Sequence, residues 1–417
     1  ADQYVDPKYF PGFRKYRRIP AFLRGIFGLV FDAGTGRILN EPSVEAIESI
    51  RQICLAFKKL KLACTPTRVD KAFAGYVKDE QALQVPLAQG DIDRFLSVSD
   101  LLWESMSECP CTFDMLPKHG PGATAERIQG NAKYRQLKWH DRLERYFPYD
   151  SFALSSINAL DSEEFKQLSV VASDQELPVR VITVPKTLKG PRIIAIEPVC
   201  MQYIQQAISR ELVKHLESHP LTAGHVNFTN QSVNRGLAII ASKDSSMATL
   251  DLSAASDRVP LSLASSMFRK APILMDAILA CRSTHAQLPS GVVLHLRKFA
   301  SMGSALCFPV ESMYFYTICV AALLERHNLP VTRAAIRKVA KLVYVYGDDI
   351  IVPADDATTV IDHLQKYYCK VNMPKSFWTG KFRESCGMDA FNGEEVTPTY
   401  VREMPPDDRQ SSNALIS

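Results

Sequence analysis

The sequence predicts an α+β fold, with a small antiparallel sheet packed against helices. Three observations carry this. Before residue 178, apolar residues recur at helical spacing. From 178 onward, short β-branched runs appear at 179–184, 192–196, 247–252 and 342–352. Longer helical patterns at 201–216 and 305–325 separate those runs without the strict alternation of a parallel α/β sheet. The chain has 417 residues, of which 46% are hydrophobic and 23% charged, which excludes a disordered chain and predicts two or three domains. The net charge of +4 permits nucleic-acid binding without arguing for it.

Residues 1–35 interleave Lys8, Arg14, Lys15, Arg17, Arg18 and Arg24 with Tyr4, Tyr9, Phe10, Phe13 and Tyr16. Such a segment can touch phosphates and bases, but the plainer expectation is an extended arm on the surface. The Ala-Asp-Gln-Tyr start has no charged leader before an apolar stretch and does not read as a secretory signal. Apolar spacing predicts helices over 44–60 and 90–106, the second opened by Asp91 and Asp93 where acids suit the positive helix end. Residues 117–124, Pro-Lys-His-Gly-Pro-Gly-Ala-Thr, form a loop by composition. The segment 305–324 is apolar enough to cross a bilayer, but it holds Pro309 and Glu311 and reads as a fully buried helix. Ten cysteines without recurring CxxC pairs, Cys109 and Cys111 being the one close pair, predict reduced thiols and no zinc site.

Four segments carry chemistry. In Lys341-Leu-Val-Tyr-Val-Tyr-Gly-Asp-Asp-Ile-Ile-Val352, two strand-like runs flank a Gly347 turn that presents Asp348 and Asp349. Adjacent like charges call for a cation or full solvation, and an exposed turn is the competing reading. In Ala248-Thr-Leu-Asp-Leu-Ser-Ala-Ala-Ser-Asp257, Asp251 ends a short strand without an obvious structural task. Asp257 precedes a helix beginning near Leu261 and is also a candidate cap. Paired carboxylates on separate strands are what two Mg²⁺ ions need for in-line transfer at a phosphate.

The third segment, residues 179–198, is a hairpin whose basic turn holds Lys186, Lys189 and Arg192, with Arg180 near its start. These cations suit a triphosphate, as they would suit any solvated sheet edge. The fourth, Lys298-Phe-Ala-Ser-Met-Gly-Ser-Ala305, leads into the apolar helix. Gly303 frees the backbone there, and Ser301 and Ser304 can bond a ribose or cap the helix.

Taken in order, these residues resemble the palm-domain RNA-dependent RNA polymerases, and more narrowly the replicase catalytic subunits of single-stranded RNA bacteriophages, the leviviruses. The strings are DLSAASD at 251–257, VPK at 184–186 with R-IAIEP at 192–198, SMG at 301–303, YGDD at 346–349, FRESCG at 382–387, VTP at 396–398 and HGPGAT at 119–124. The resemblance runs over roughly residues 40–402. It implies a right-hand fold: fingers over 1–198, including the basic hairpin; palm over 199–380; and the start of a short or truncated thumb over 381–417. It implies metal binding by Asp251, Asp348 and Asp349. Triphosphate contacts fall to Arg180, Lys186 and Arg192, and ribose contacts to Asp257, Ser301 and Gly303. Lys375 becomes the acid for departing pyrophosphate, and FRESCG a neighbour of the growing 3′ end.

The implied cofactor is Mg²⁺, two ions, with Mn²⁺ as a substitute. The implied reaction is primer-independent, RNA-templated synthesis from ribonucleoside triphosphates in the cytoplasm of a bacterial host. The implied partners are host translation elongation factors and a ribosomal protein, with no membrane. One departure concerns ribose selection: Cys307-Phe-Pro-Val-Glu311 stands where other viral polymerases often carry Asn. Glu311 is either a contributor there or a buried structural acid. The competing functions are a reverse transcriptase and a non-catalytic RNA-binding protein.

Overall fold

The apolar stretch becomes the centre of the molecule. In the computed structural model, which describes residues 4–135, 137–154, 166–187 and 189–404, the helix Cys307–Arg326 is buried along nearly its whole length. It is long and apolar enough to cross a membrane, but protein surrounds it. It packs against the helices Gln89–Leu102, Arg333–Ala340 and Ala357–Lys366. A helix apolar all round finds such burial on every side, at about 1.5–3 kcal/mol for each large side chain removed from water. Its tyrosines and Thr317 are hydrogen-bonded. The Tyr314 hydroxyl donates to the Tyr367 carbonyl at 2.7 Å, Tyr316 donates to Leu221 and Ala340, and Trp103 Nε1 donates to Thr317 Oγ1 at 2.9 Å. Phe95 closes the cluster, with ring centroids 5.6 Å from Tyr314 and 5.7 Å from Tyr367.

On this helix rests a three-stranded antiparallel sheet ordered Tyr344–Tyr346, Asp349–Pro353, Met247–Asp251. The first two strands are the expected acidic hairpin. A second sheet holds the basic hairpin, Val179–Thr187 with Gly190–Ile196, and continues into His285–Gln287 and Val293–His295. Val179–Thr187 pairs with His285–Gln287 in parallel, and so does Lys138–His140 with Ser169–Val171. The sheets are therefore more numerous than expected and not wholly antiparallel. The four strands at 138–140, 169–171, 285–287 and 293–295 have three residues each, too short for a periodicity to register. The α+β class holds.

The predicted helices stand, with shifted ends. Ser43 caps Val44–Leu55 through the Ala46 N–H at 3.1 Å, and the helix stops short of residue 60, where Phe57 is exposed and has no surface to pack on. The 90–106 pattern divides at Trp103 into Gln89–Leu102 and a 3₁₀ turn, Glu104–Glu108. Residues 117–124 are a loop. All ten cysteines are free.

The N-terminal arm is exposed at Tyr9, Phe13 and Tyr16, but it is not simply extended. Residues Arg24–Gly28 form a short helix, and Phe27 and Val30 are buried. Val30 packs with Ala46, Ile47, Phe391 and Val396, which ties the arm to the C-terminal hairpin Phe382–Ser385/Met388–Phe391. That hairpin is stitched to the central sheet by Arg383. This residue is fully buried, and its Nε donates to the Met247 carbonyl at 2.6 Å while Nη1 donates to Gly380 and Phe382. Replacing it with an apolar residue strands these carbonyls. Arg383→Leu is expected to lower the unfolding free energy by about 3 kcal/mol in urea titration. A loss under about 1 kcal/mol would show that the stitch is dispensable.

Candidate active site

The acidic hairpin has a two-residue turn, Gly347-Asp348, with Tyr346 paired to Asp349 across it. Gly347 has φ +61°, and a Cβ there would run into the Phe308 ring, so two constraints demand glycine. On its other edge the strand Asp349–Pro353 pairs with Met247–Asp251 in a register that sets Asp349 directly opposite Asp251. Such partners have Cβ atoms about 5 Å apart, and like charges so placed repel.

Burial and the crowding of acids shift the carboxyls at the turn. Burial pushes the Asp349 carboxyl up to about 7, and the Asp348 charge adds to it. Asp348 keeps solvent access at the turn, yet the protein packed round it raises its pKa, with the Asp251 carboxylate as the next cause. Neighbouring groups hold the acids in place. Asp349 Oδ2 accepts the Cys386 N–H at 3.0 Å. Asp251 accepts from Asn372 Nδ2 at 2.6 Å and from Lys375 Nζ at 3.4 Å, and its own N–H donates to Ser376 Oγ. Lys375 also lies 3.5 Å from Glu384. Burial works against the Lys375 charge, but Glu384 and Asp251 outweigh it and raise its pKa.

The basic hairpin approaches from the second sheet. Val179 and Val181 face a small core with Tyr76 and Ala195, so strand alternation turns Arg180 to the opposite face. Arg192 pairs with Val184 and shares that face. Lys186 lies within a register irregularity between Val184 and Thr187, and burial lowers its pKa, helped by Arg192 and opposed by Asp348 and Asp251. Lys186 is thus within electrostatic reach of the acids.

Asp257 lies in the 3₁₀ turn Ser256–Arg258 and does not cap the next helix, Leu261–Ser266, whose cap position is Pro260. Its partner is the fully buried Lys298, at 2.9 Å. Lys298 also meets Glu80 at 3.1 Å and lies 3.5 Å from the centre of the Tyr76 ring. Ser301 is buried and bonded to the Tyr76 hydroxyl at 2.8 Å, and Ser304 donates to Gln205 Oε1. Leu306 holds the cap position of the apolar helix, and Ser304 Oγ accepts its N–H at 3.3 Å, whereas Ser301 faces Tyr76. Gly303, at φ +133°, lies where a Cβ would strike the Ala195 carbonyl, and the Ala195 N–H donates to Met302. The Ser-Met-Gly segment is thereby laid against the basic hairpin. Glu311 is buried behind the acids, where desolvation and the Asp348 charge raise its pKa well above the ordinary range. Its near neighbour is the Cys307 thiol, at 3.8 Å.

The structure therefore brings Asp251, Asp348, Asp349, Lys375 and Lys186 together and holds Asp257, Ser301 and Gly303 in a supporting layer. Sequence reasoning missed Asn372, Glu384, Lys298 and the Cys386 N–H. Glu384 and Cys386 lie within FRESCG and Lys298 opens the segment 298–305, so those segments were the available signal, whereas Asn372 lies in none of them. Among the described residues, no three His, Cys, Asp or Glu side chains converge into a ready-made ion cage. The acids instead offer open, hard oxygen donors whose mutual repulsion a divalent ion would relieve. That fits Mg²⁺, which takes one or two carboxylates and completes its shell with water and phosphate.

Residues 140–407 match the profile of the family described as RNA replicase, beta-chain. The chain belongs to that family. Its curated relatives agree. The RNA-directed RNA polymerase subunit beta of Qbeta virus (strain MX1) is 33% identical over 223 residues, 54% of this chain and 35% of the relative. The beta chain of Escherichia phage MS2 is 34% identical over 222 residues, 53% of this chain and 37% of the relative. The subunit of Enterobacteria phage SP is 31% identical over 286 residues, 68% of this chain and 45% of the relative. The alignments span between about a third and a half of each relative's length.

Within this replicase-family chain, the HGPGAT loop is also built. Lys133 Nζ donates to the Gly120 carbonyl at 2.8 Å and to that of Gly122, and His119 stacks on Tyr203 with centroids 4.5 Å apart. Burial, with the nearby Lys133 charge, lowers the His119 pKa to about 4. The folded state binds this proton less readily than the unfolded chain does. The associated stability is complete above pH about 6.5 and is lost as pH falls toward 4. His119→Phe, which keeps the stack, should reduce the stability lost between those pH values by about 1 kcal/mol, allowing for solvent screening. Parallel pH–stability curves for the two proteins would refute the assignment.

Proposed function

We propose that this chain carries the catalytic centre of an RNA-dependent RNA polymerase that copies a viral positive-strand RNA genome from ribonucleoside triphosphates. The single observation that carries the reading is the cross-strand pairing of Asp251 with Asp349 beside the Asp348 turn, faced by the Lys186 hairpin. Membership of the replicase family supports it. In a right-hand arrangement, the acid-bearing sheet and its helices form the palm, the basic hairpin and N-terminal region the fingers, and the C-terminal hairpin the start of a thumb.

In this reading Asp251 and Asp348 hold two Mg²⁺ ions, for which Mn²⁺ can substitute, with Asp349 beside them. Bound there, the ions would lower the pKa of the attacking hydroxyl and neutralise charge building on the phosphates. The residues supply the rest. Lys186, Arg192 and Arg180 bind the triphosphate, as cations crowded on one sheet face suit its charge. Asp257, fixed by Lys298, contacts the ribose, and the Ser301–Gly303 segment braces the hairpin that carries the cations. The 3′-hydroxyl oxygen bonds to the α-phosphorus, the bond to pyrophosphate breaks, and the hydroxyl proton passes to solvent water. Lys375, whose ammonium is stabilised by Glu384 and Asp251, is placed to donate a proton to departing pyrophosphate. Initiation is primer-independent. Host translation elongation factors and a ribosomal protein complete the enzyme in the bacterial cytoplasm.

The test is incorporation of labelled ribonucleotides on an RNA template with Mg²⁺, with and without host lysate. Asp348→Asn should reduce incorporation to background while leaving circular dichroism and RNA binding nearly unchanged. Normal synthesis by that variant would remove the metal assignment. Lys186→Ala should raise the KM for nucleotide more than it weakens template binding, and the reverse order would move Lys186 to the template path. A preference for deoxynucleotides would mean reverse transcription instead.

A further inference from the structure

A second cationic site lies away from the acids. An open cavity of about 440 Å³ is bounded by the loop after helix Pro66–Ala82 and by the end of helix Ala357–Lys366 with the segment that follows. Arg258, Lys366 and Lys370 line it, and among the described residues no carboxylate does. The wall formed by the loop after helix Pro66–Ala82 is apolar, with Val85, Pro86 and Leu87. Cations concentrated in a concave, acid-free space focus positive potential and draw an anion.

The cations differ in how far they are already engaged. Arg258 is anchored through Nη2 to Asp79 at 2.6 Å, while its buried Nε has no hydrogen-bond partner. Lys366 lies 3.1 Å from Asp91. Lys370 is exposed and makes no ion pair among the described residues. A helix C-terminus repels anions through its free carbonyls, but here the last turn is closed. The N–H of Tyr368 donates to the Gln365 carbonyl and that of Cys369 to Leu364. Tyr368 holds a left-handed φ of +67°, unusual for an aromatic residue, and its hydroxyl donates to the Val85 carbonyl, bridging the two walls.

We propose that this cavity binds a small phosphorylated ligand, with the phosphate on Arg258 and Lys370 and any ring against the Val85–Leu87 wall. The volume suits a nucleotide-sized molecule rather than a polymer. The site is distinct from the triphosphate cations of the basic hairpin and does not depend on the polymerase reading. Its walls nonetheless reach the acids. The Ser253 N–H donates to the Lys370 carbonyl, Leu252 bridges to Val371, and the next residue, Asn372, bonds the Asp251 carboxylate. Arg258 adjoins Asp257 in one 3₁₀ turn.

The experiment is isothermal titration calorimetry in EDTA at low salt, with inorganic pyrophosphate and ATP as separate probes. The receiving protein is the full chain carrying Lys186→Ala and Arg192→Ala, which strips two of the three triphosphate cations from the basic hairpin and so weakens binding there. One binding event is expected, weakened at least tenfold when Lys370→Glu is added. Lys366→Ala should weaken it less, since that ammonium is shared with Asp91. Circular dichroism checks that each variant is folded. In the unmutated chain, Lys370→Glu alone should remove one event. Tighter binding of ATP than of pyrophosphate would identify a nucleotide, and equal binding a free phosphate anion. No binding by the doubly substituted chain, or binding indifferent to Lys370→Glu, would overturn the proposal. Neither result bears on ribonucleotide incorporation.

Discussion

The register between Asp349–Pro353 and Met247–Asp251 is the constraint on which the rest depends. With Asp349 opposite Asp251, the turn must carry Asp348 to the edge of the same acidic cluster. A slip of one residue would reverse the faces of the strand and bury a carboxylate in the apolar layer beneath. Ile350, Val352 and Leu250 are buried in the core around helix Cys307–Arg326, which fixes the register. The core thus has a chemical consequence: it forces together charges that would separate if free to move.

Holding like charges together needs opposing groups, and the chain supplies them from distant places. Lys375 and Asn372 follow the helix Ala357–Lys366, the Cys386 N–H comes from the C-terminal hairpin, and Lys186 comes from the other sheet. The C-terminal hairpin is fixed in turn by buried Arg383 and by the N-terminal arm, joined through Val30, Ala46 and Phe391. A second buried cation, Lys298, does for Asp257 what these groups do for the central acids. Burial alone would lower a lysine pKa, yet here Asp257, the Tyr76 ring and Glu80 raise it, so the ammonium stays charged within the fold.

The two hairpins were legible in the sequence because their signals are local: alternating β-branched residues, a glycine and charges within a dozen positions. The apolar helix was legible for the same reason. The strands at 285–287 and 293–295 were not, since three residues carry no period and their pairing is set by the distant Val179–Thr187. The candidate cap role of Asp257 failed because its partner, Lys298, lies beyond an intervening pair of helices. The serines at 301 and 304 were legible as polar groups before a helix. That their partners are Tyr76 and Gln205 is a property of packing, which no local pattern encodes.

The central claim is that Asp251, brought against the Asp348 hairpin by strand register, makes a divalent-ion site of open carboxylates. Manganese titration followed by electron paramagnetic resonance tests it most directly, because free and bound Mn²⁺ give different signals. The account predicts that the chain binds Mn²⁺ and that Asp251→Ala loses this binding, while Asp257→Ala, whose carboxylate faces Lys298, retains it. Undiminished Mn²⁺ binding by Asp251→Ala would contradict the account.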